Sequence, residues 1–149
     1  MKGIFQLDFS RHAKWLRSRV SYIRTEDTCG FVAYNSKSQI VGAVIFDNFL
    51  HSSAQITLII DSPQAIKLGL LDFAADFIFN VIKKKYVYAI VAGKNIKSLR
   101  LCERVGFEFQ MLIPDGYADG VSMYVFRLDK EKLNLSHRKK AKNHAEATK

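Results

Sequence analysis

The thirteen residues Asn95-Ile-Lys97-Ser98-Leu-Arg100-Leu101-Cys102-Glu103-Arg104-Val-Gly106-Phe107 decide how this chain is read. They predict a short helix over Asn95 to Arg104, closed by Gly106, the residue type that most readily takes the left-handed turn at a helix C-terminus. Just before it, Tyr86 to Val91 reads as a strand. Just after it, Phe107 to Ile113 and Val121 to Leu128 read as two more, flanking the turn-rich Pro114-Asp-Gly116 and Asp119-Gly120.

Working outward, Ile66, Leu70, Phe73, Ala74, Phe77, Ile78 and Val81 form one apolar stripe and predict a long helix. Lys83, Lys84 and Lys85 follow at its end, where cations suit the helix dipole. Before it, Ala54 to Ile60 predicts a strand. Gly30 to Tyr34 and Ile40 to Phe46 predict a hairpin around Asn35-Ser-Lys-Ser38. The N-terminal part predicts a helix over Ser10 to Ile23, with Ala13, Leu16, Val20 and Ile23 inward and Ser10 as N-cap. Hairpins mixed with strand–helix–strand crossovers imply an α/β (α+β) fold, a mixed sheet of about six to seven strands flanked by helices.

At 149 residues the chain is expected to hold one domain, since domains run to about 100–200 residues. A hydrophobic content of 48% excludes a disordered chain. Two cysteines, Cys29 and Cys102, exclude a disulfide framework and favour a reducing compartment. No apolar run approaches the roughly 18 residues of a membrane span, and the first residues lack a secretory signal, so a cytoplasmic protein without membrane partners is expected. The formal charge of +9 is uneven, because residues 130–149 carry seven basic and two acidic side chains. The expected organisation is therefore a domain over 1–129 and a basic, flexible tail over 130–149, which would suit an acidic partner. A nucleic-acid or ribosome interaction would rest on that tail and fall steeply with salt.

Asn95, Ser98, Leu101, Glu103, Arg104, Gly106 and Phe107, set after a strand, fit the pattern Asn-x-x-Ala/Ser-x-x-Leu-Tyr-Glu-Lys/Arg-x-Gly-Phe. The chain thereby resembles the GCN5-related N-acetyltransferase (GNAT) superfamily, the acyl-CoA N-acyltransferase fold, over Gly30 to Leu128. Phe46-Asp-Asn-Phe49 and Pro114-Asp-Gly116 with Tyr124 also look like its compact phage-encoded members, which would place the chain in a host cytoplasm.

The resemblance implies acetyl-CoA as co-substrate, no metal, and transfer of acetyl to a primary amine by direct attack in a ternary complex. It implies that the CoA pyrophosphate lies on backbone amides of Gln64, Ala65, Ile66, Lys67, Leu68 and Gly69, since helix N-termini attract anions. Lys67 replaces the usual middle glycine there. The residue-level alternative is a plain helix start, with Ser62 as cap, Pro63 in first position and Lys67 solvated. It also implies that an amide among Leu58, Ile59 and Ile60 stabilises the oxyanion, and that pantetheine enters between Ala54–Ile60 and Tyr86–Val91.

Gln55, Thr57 and Ile59 share one face of that strand by the period-two rule, and none is a carboxylate or histidine. Gln55 and Thr57 would order a water but cannot accept a proton at neutral pH. Cys102 stands where the family's thiolate-protonating tyrosine usually lies, and either donates a proton or packs as a core thiol. Ser98 is the alternative thiol neighbour. His51, with Asp47 and Asn48 close by, is either the missing base or an exposed loop histidine. Asn95, Ser98, Arg100 and Arg104 are the α-helical CoA contacts implied, with Lys97, Arg100 and Arg104 facing the 3′-phosphate or simply solvated. The acceptor, a protein or a small molecule, is not specified, and the oligomeric state stays open, a homodimer through the last strands being the arrangement of many family members. The competing function is a catalytically weak or inactive binding or regulatory protein of the same fold, with CoA, a protein or a nucleic acid as partner.

Overall fold

A computed structural model describes residues 1–134; residues 135–149, most of the expected tail, lie outside the described residues. Seven strands and four α-helices occur among the described residues. The chain divides into two compact units, Met1–Lys84 and the part from Lys85 onward.

In the first unit, β1 (Gly3–Gln6), β2 (Cys29–Tyr34), β3 (Ile40–Asp47) and β4 (Ser53–Ile60) follow one another as antiparallel neighbours. The β2–β3 hairpin is the expected one. Asn35 shapes its turn, its side-chain oxygen accepting from the N–H groups of Lys37 and Gln39 at 3.0 Å each. Alternation then sorts the side chains. Val32, Tyr34, Ala43, Ile45 and Ile59 join Leu7, Phe9 and Leu16 in one buried cluster.

The opposite face holds Phe31 and Phe46. Phe31 meets Phe73 and Phe77 edge-on at ring separations of 4.8 and 5.0 Å. Gly42 shares this side by alternation, and a Cβ there would stand 2.7 Å from the Ala65 Cβ and 2.9 Å from the Ile59 carbonyl oxygen. Its lack of a side chain lets the following helix approach β3.

Two sequence expectations are corrected in this unit. The helix expected over Ser10 to Ile23 is only α1 (Ala13–Arg17), and Ser10 is not its cap. Asp8 does that work one turn earlier, its Oδ1 accepting from the N–H groups of Ser10 and Arg11 at 2.9 and 3.0 Å. The chain is held by tertiary contacts rather than helical ones: His12, buried, brings Nε2 to 2.7 Å from the Tyr34 hydroxyl, and Arg19 pairs with Asp61 at 2.7 Å. The first residues, whose apolar pattern announces no element, form β1.

The long helix is also broken. It consists of α2 (Gln64–Lys67), α3 (Leu70–Asp76) and a π-helical turn (Phe77–Val81). Gly69, at φ +92°, supplies the left-handed residue that separates the first two. The π-helical turn closes through the Ile82 N–H on the Phe77 carbonyl at 2.8 Å.

In the second unit, β5 (Tyr86–Ala92) and β6 (Glu108–Ala118) both pair antiparallel with β7 (Val121–Asp129), and α4 (Ile96–Val105) connects β5 to β6. Leu101, Cys102 and Val105 of α4 are buried, as are Val87, Ala89, Val91, Phe126 and Leu128. Pro114-Asp-Gly116 does not end β6 as expected but lies within it. Ile113 pairs with Met123 and Ala118 with Val121, so the intervening residues bulge out. Asp115 braces the bulge by accepting from the Gly120 N–H at 2.8 Å. The folded body also continues past 129. A 3-10 turn (Lys130–Lys132) follows β7, and the Asn134 N–H donates to the Val105 carbonyl at 2.7 Å.

Candidate functional site

In the second unit, the motif folds as its residue types dictate. Asn95 caps α4, its side-chain oxygen accepting from the Ser98 N–H at 3.2 Å. Gly106 ends the helix at φ +113°. Lys97, Arg100 and Arg104 are exposed on α4, and Ser98 is half-buried. Three cations on one exposed face suit an anionic ligand.

Cys102 does not fit the acid role the resemblance allowed. Only 2% of it is exposed, and burial, with a smaller push from the Glu103 carboxylate, raises the thiol to about 12. Proton transfer from such a thiol to a departing thiolate, whose ordinary pKa is about 8.5, runs uphill. Cys102 is a core residue here.

In the first unit, the segment expected to cradle phosphate is wound into α2. The N–H groups of Ala65, Ile66, Lys67, Leu68 and Gly69 donate to the carbonyls of Ser62, Pro63, Pro63, Gln64 and Ile66 at 2.9–3.2 Å. These amides are therefore already engaged, and Ser62 supports the turn by accepting from the Gln64 N–H at 3.2 Å. The Gln64 side chain is engaged too, its Oε1 accepting from Asn35 Nδ2 at 3.2 Å.

What the segment offers an anion is charge. Lys67 joins Lys2, Asn35, Ser36, Gln64 and Leu68 around a cavity of about 230 Å³. Gly69 begins α3, and a Cβ at this residue would meet nothing within 4 Å, so that approach is open. The first N–H groups of a helix have no intrahelical partner, which favours an anion at such an opening.

On β4, Leu58 and Ile60 are half-buried and Ile59 is buried in the core cluster. Thr57 and Gln55 are half-buried on the same face as Ile59, and their register partners on β3 are Ile45 and Asp47. Asp47 thus continues the face that carries Ala43 and Ile45, just past the apolar cluster. Its Oδ1 is buried with no hydrogen-bond partner, and burial alone raises its carboxyl above the usual range.

The adjoining β3–β4 loop is well tied. Asn48 Nδ2 donates to Gln55 Oε1 at 2.7 Å, and Lys84 Nζ donates to the carbonyls of Leu50 and His51 at 2.7 and 3.3 Å. His51 itself is exposed. The structure therefore singles out Asp47, which the sequence pattern marks only as a neighbour of His51. Its signal was a carboxylate ending an otherwise apolar strand. Among the described residues, no group of three or more His, Cys, Asp or Glu side chains is arranged to hold a metal ion, and no helix is long and apolar enough to cross a membrane.

Comparison with known proteins gives the fold its name. No protein-family model matches the sequence, and no curated protein matches it. Solved structures do. Mutant forms of the spermidine/spermine N-acetyltransferase SpeG from Vibrio cholerae match with a TM-score of 0.70 at 17% identity, over 89% of this chain and 96% of that one. A second mutant of the same spermidine N-acetyltransferase matches with a TM-score of 0.69 at 18% identity, over 87% and 94%. A chimera of that protein with hSSAT matches with a TM-score of 0.66 at 19% identity, over 87% and 97%. The chain has the mixed α/β GNAT fold of these structures.

Proposed function

We propose that this chain is an acyl-CoA-dependent N-acetyltransferase that moves acetyl from acetyl-CoA to a primary amine by direct attack in a ternary complex. The observation that carries the reading is the GNAT fold, shared with amine acetyltransferases over nearly nine-tenths of the chain. The Asn95–Phe107 motif, folded as a capped helix with a left-handed terminal glycine, supports it from the sequence side.

Acetyl-CoA supplies an activated thioester, and the protein's part is to bind, orient and stabilise. The residues present suit it. Lys67 and Lys2 offer point charges to phosphate oxygens, as do Lys97, Arg100 and Arg104 on α4. Asn95 and Ser98 open α4, and Thr57 lies on the β4 face that would meet the reacting groups. A backbone N–H among Leu58, Ile59 and Ile60 is the proposed oxyanion donor.

The buried, high-pKa Cys102 favours one second reading, a protein that binds CoA with little turnover. Calorimetry with acetyl-CoA, followed by thiol release across a panel of amines, tests both. Micromolar binding with amine-dependent release of CoA supports the enzyme, and binding without release supports the second reading. No binding at millimolar acetyl-CoA overturns both.

A further inference from the structure

We infer that Asp47 is the acceptor-amine site of this protein: its carboxylate holds the incoming amine and receives the proton that nitrogen loses as the amide forms. The inference rests on the acetyltransferase reading above and names the group which that reading lacks.

Three observations on β3 and β4 converge on it. First, Asp47 Oδ1 is buried and has no hydrogen-bond partner. A buried, unpaired carboxylate oxygen is costly, and retaining one calls for a partner that arrives from outside. Second, two side-chain donors near this end of the strand are turned to other acceptors. Asn48 Nδ2 is given to Gln55, and the Lys84 ammonium is held by the carbonyls of Leu50 and His51.

Third, register puts Asp47 opposite Gln55, on the face that also carries Thr57. The residue as a whole is only half-buried at the end of its strand, so an amine can approach the carboxyl from the solvent side while Oδ1 faces inward. A protonated or neutral alkylamine, with two or three N–H donors and a small apolar stem, supplies what this carboxylate lacks. Burial also raises its basicity, which suits a proton acceptor.

The step balances as follows. The amine docks against Asp47 and sheds its ammonium proton to water. The neutral nitrogen attacks the thioester carbonyl carbon, so the C–N bond forms and the C–S bond breaks. As it forms, the new C–N bond acidifies the nitrogen, whose proton passes to Asp47. The CoA thiolate leaves and takes a proton from water, and Asp47 returns its own to solvent.

The test compares wild type with Asp47→Asn and Asp47→Ala, using acetyl-CoA calorimetry, amine-dependent CoA release, and a titration with n-butylammonium followed by backbone amide shifts. Acetyl-CoA affinity should stay within twofold in both variants, while kcat falls at least ~100-fold, the usual contribution of a positioned base. Wild type should show shifts centred on residues 45–49 and 55–57 with butylammonium, and Asp47→Asn should not.

Turnover in Asp47→Asn within threefold of wild type overturns the inference, as does butylammonium binding unchanged by the substitution. If wild type binds no acetyl-CoA, the acetyltransferase reading fails on its own account. The amine arm then decides for Asp47, because its readout needs no cofactor. Melting curves guard against misfolding: both variants should melt no lower than wild type, since the substitution removes a buried unpaired charge.

Discussion

Gly106 and Lys132 lie so close that a Cβ on Gly106 would overlap the Lys132 carbonyl oxygen. The left-handed end of α4 and the turn after β7 are therefore packed backbone to backbone, and Asn134 extends the seam by donating to Val105. Gly106→Ala should cost at least ~2 kcal/mol, because the left-handed conformation alone costs about 1–2 kcal/mol for a residue with a Cβ and the seam must also open. Urea denaturation measures this. Ending the chain after residue 129 should likewise destabilise α4, visible as a lower urea midpoint.

Asn95→Ala should cost about 1 kcal/mol through the lost cap on the Ser98 N–H, whereas Asn95→Asp should be nearly neutral. The same urea titration distinguishes them. A drop in acetyl-CoA affinity in the Ala variant alone would link this cap to the proposed binding role.

Cys102 should behave as a packed thiol. In a Cys29→Ser background at pH 8, a thiol reagent should label it about a thousandfold more slowly in the folded protein than in urea, since the thiolate fraction falls with the raised pKa. Its folded pKa lies above the unfolded value, so the stability linked to it is fully present below pH 9 and is lost as pH rises towards 12. Cys102→Ala should leave amine-dependent turnover within a few fold.

Asp47 gives a pH signature of its own. Its carboxyl titrates above the unfolded value because of burial, so it favours the fold below the unfolded pKa and opposes it once pH has risen through the folded one. The melting-temperature gain of Asp47→Asn over wild type should therefore be larger at pH 7 than at pH 4. An equal gain at both would show that burial does not perturb this carboxyl.

On β6, Phe109 (54% exposed), Met111 (51%) and Tyr117 (53%) lie on a strand that pairs on one side only, with β7, among the described residues. An apolar, one-sided strand invites pairing with a second copy. Sedimentation should show a concentration-dependent dimer, and Met111→Lys should shift it towards monomer. A wild-type monomer at 100 μM overturns the expectation, since it limits the association energy to about 5.5 kcal/mol or less.

Much of the fold was legible because period and punctuation agree in it. The β2–β3 hairpin, β4, β5 and α4 each join a clear apolar pattern to a turn or cap residue whose chemistry is local: Asn35, Asn95 and Gly106 act on backbone groups within five residues. The parts that differ from the pattern are those where local backbone geometry or a distant contact overrides it. The stripe from Ile66 to Val81 looks like one helix, but Gly69 takes a left-handed turn and the Phe77 carbonyl closes a π-helical ring. The segment from Ser10 to Ile23 has helical spacing, yet α1 stops at Arg17, and Arg19 turns its N–H to the Leu16 carbonyl and its side chain to Asp61.

The sequence by itself determined the strands from β2 to β7 and the helix that ends at Gly106, because caps, glycines and apolar alternation act over a few residues and need no distant partner. Only the tertiary structure decided which polar groups are left over. The amides of residues 65–69 are consumed by local carbonyls in and around α2, the Cys102 thiol is sealed in the core, and Asp47 Oδ1 stands buried without a partner. Desolvation and hydrogen-bond satisfaction depend on what surrounds a group in space, and linear spacing does not carry that information.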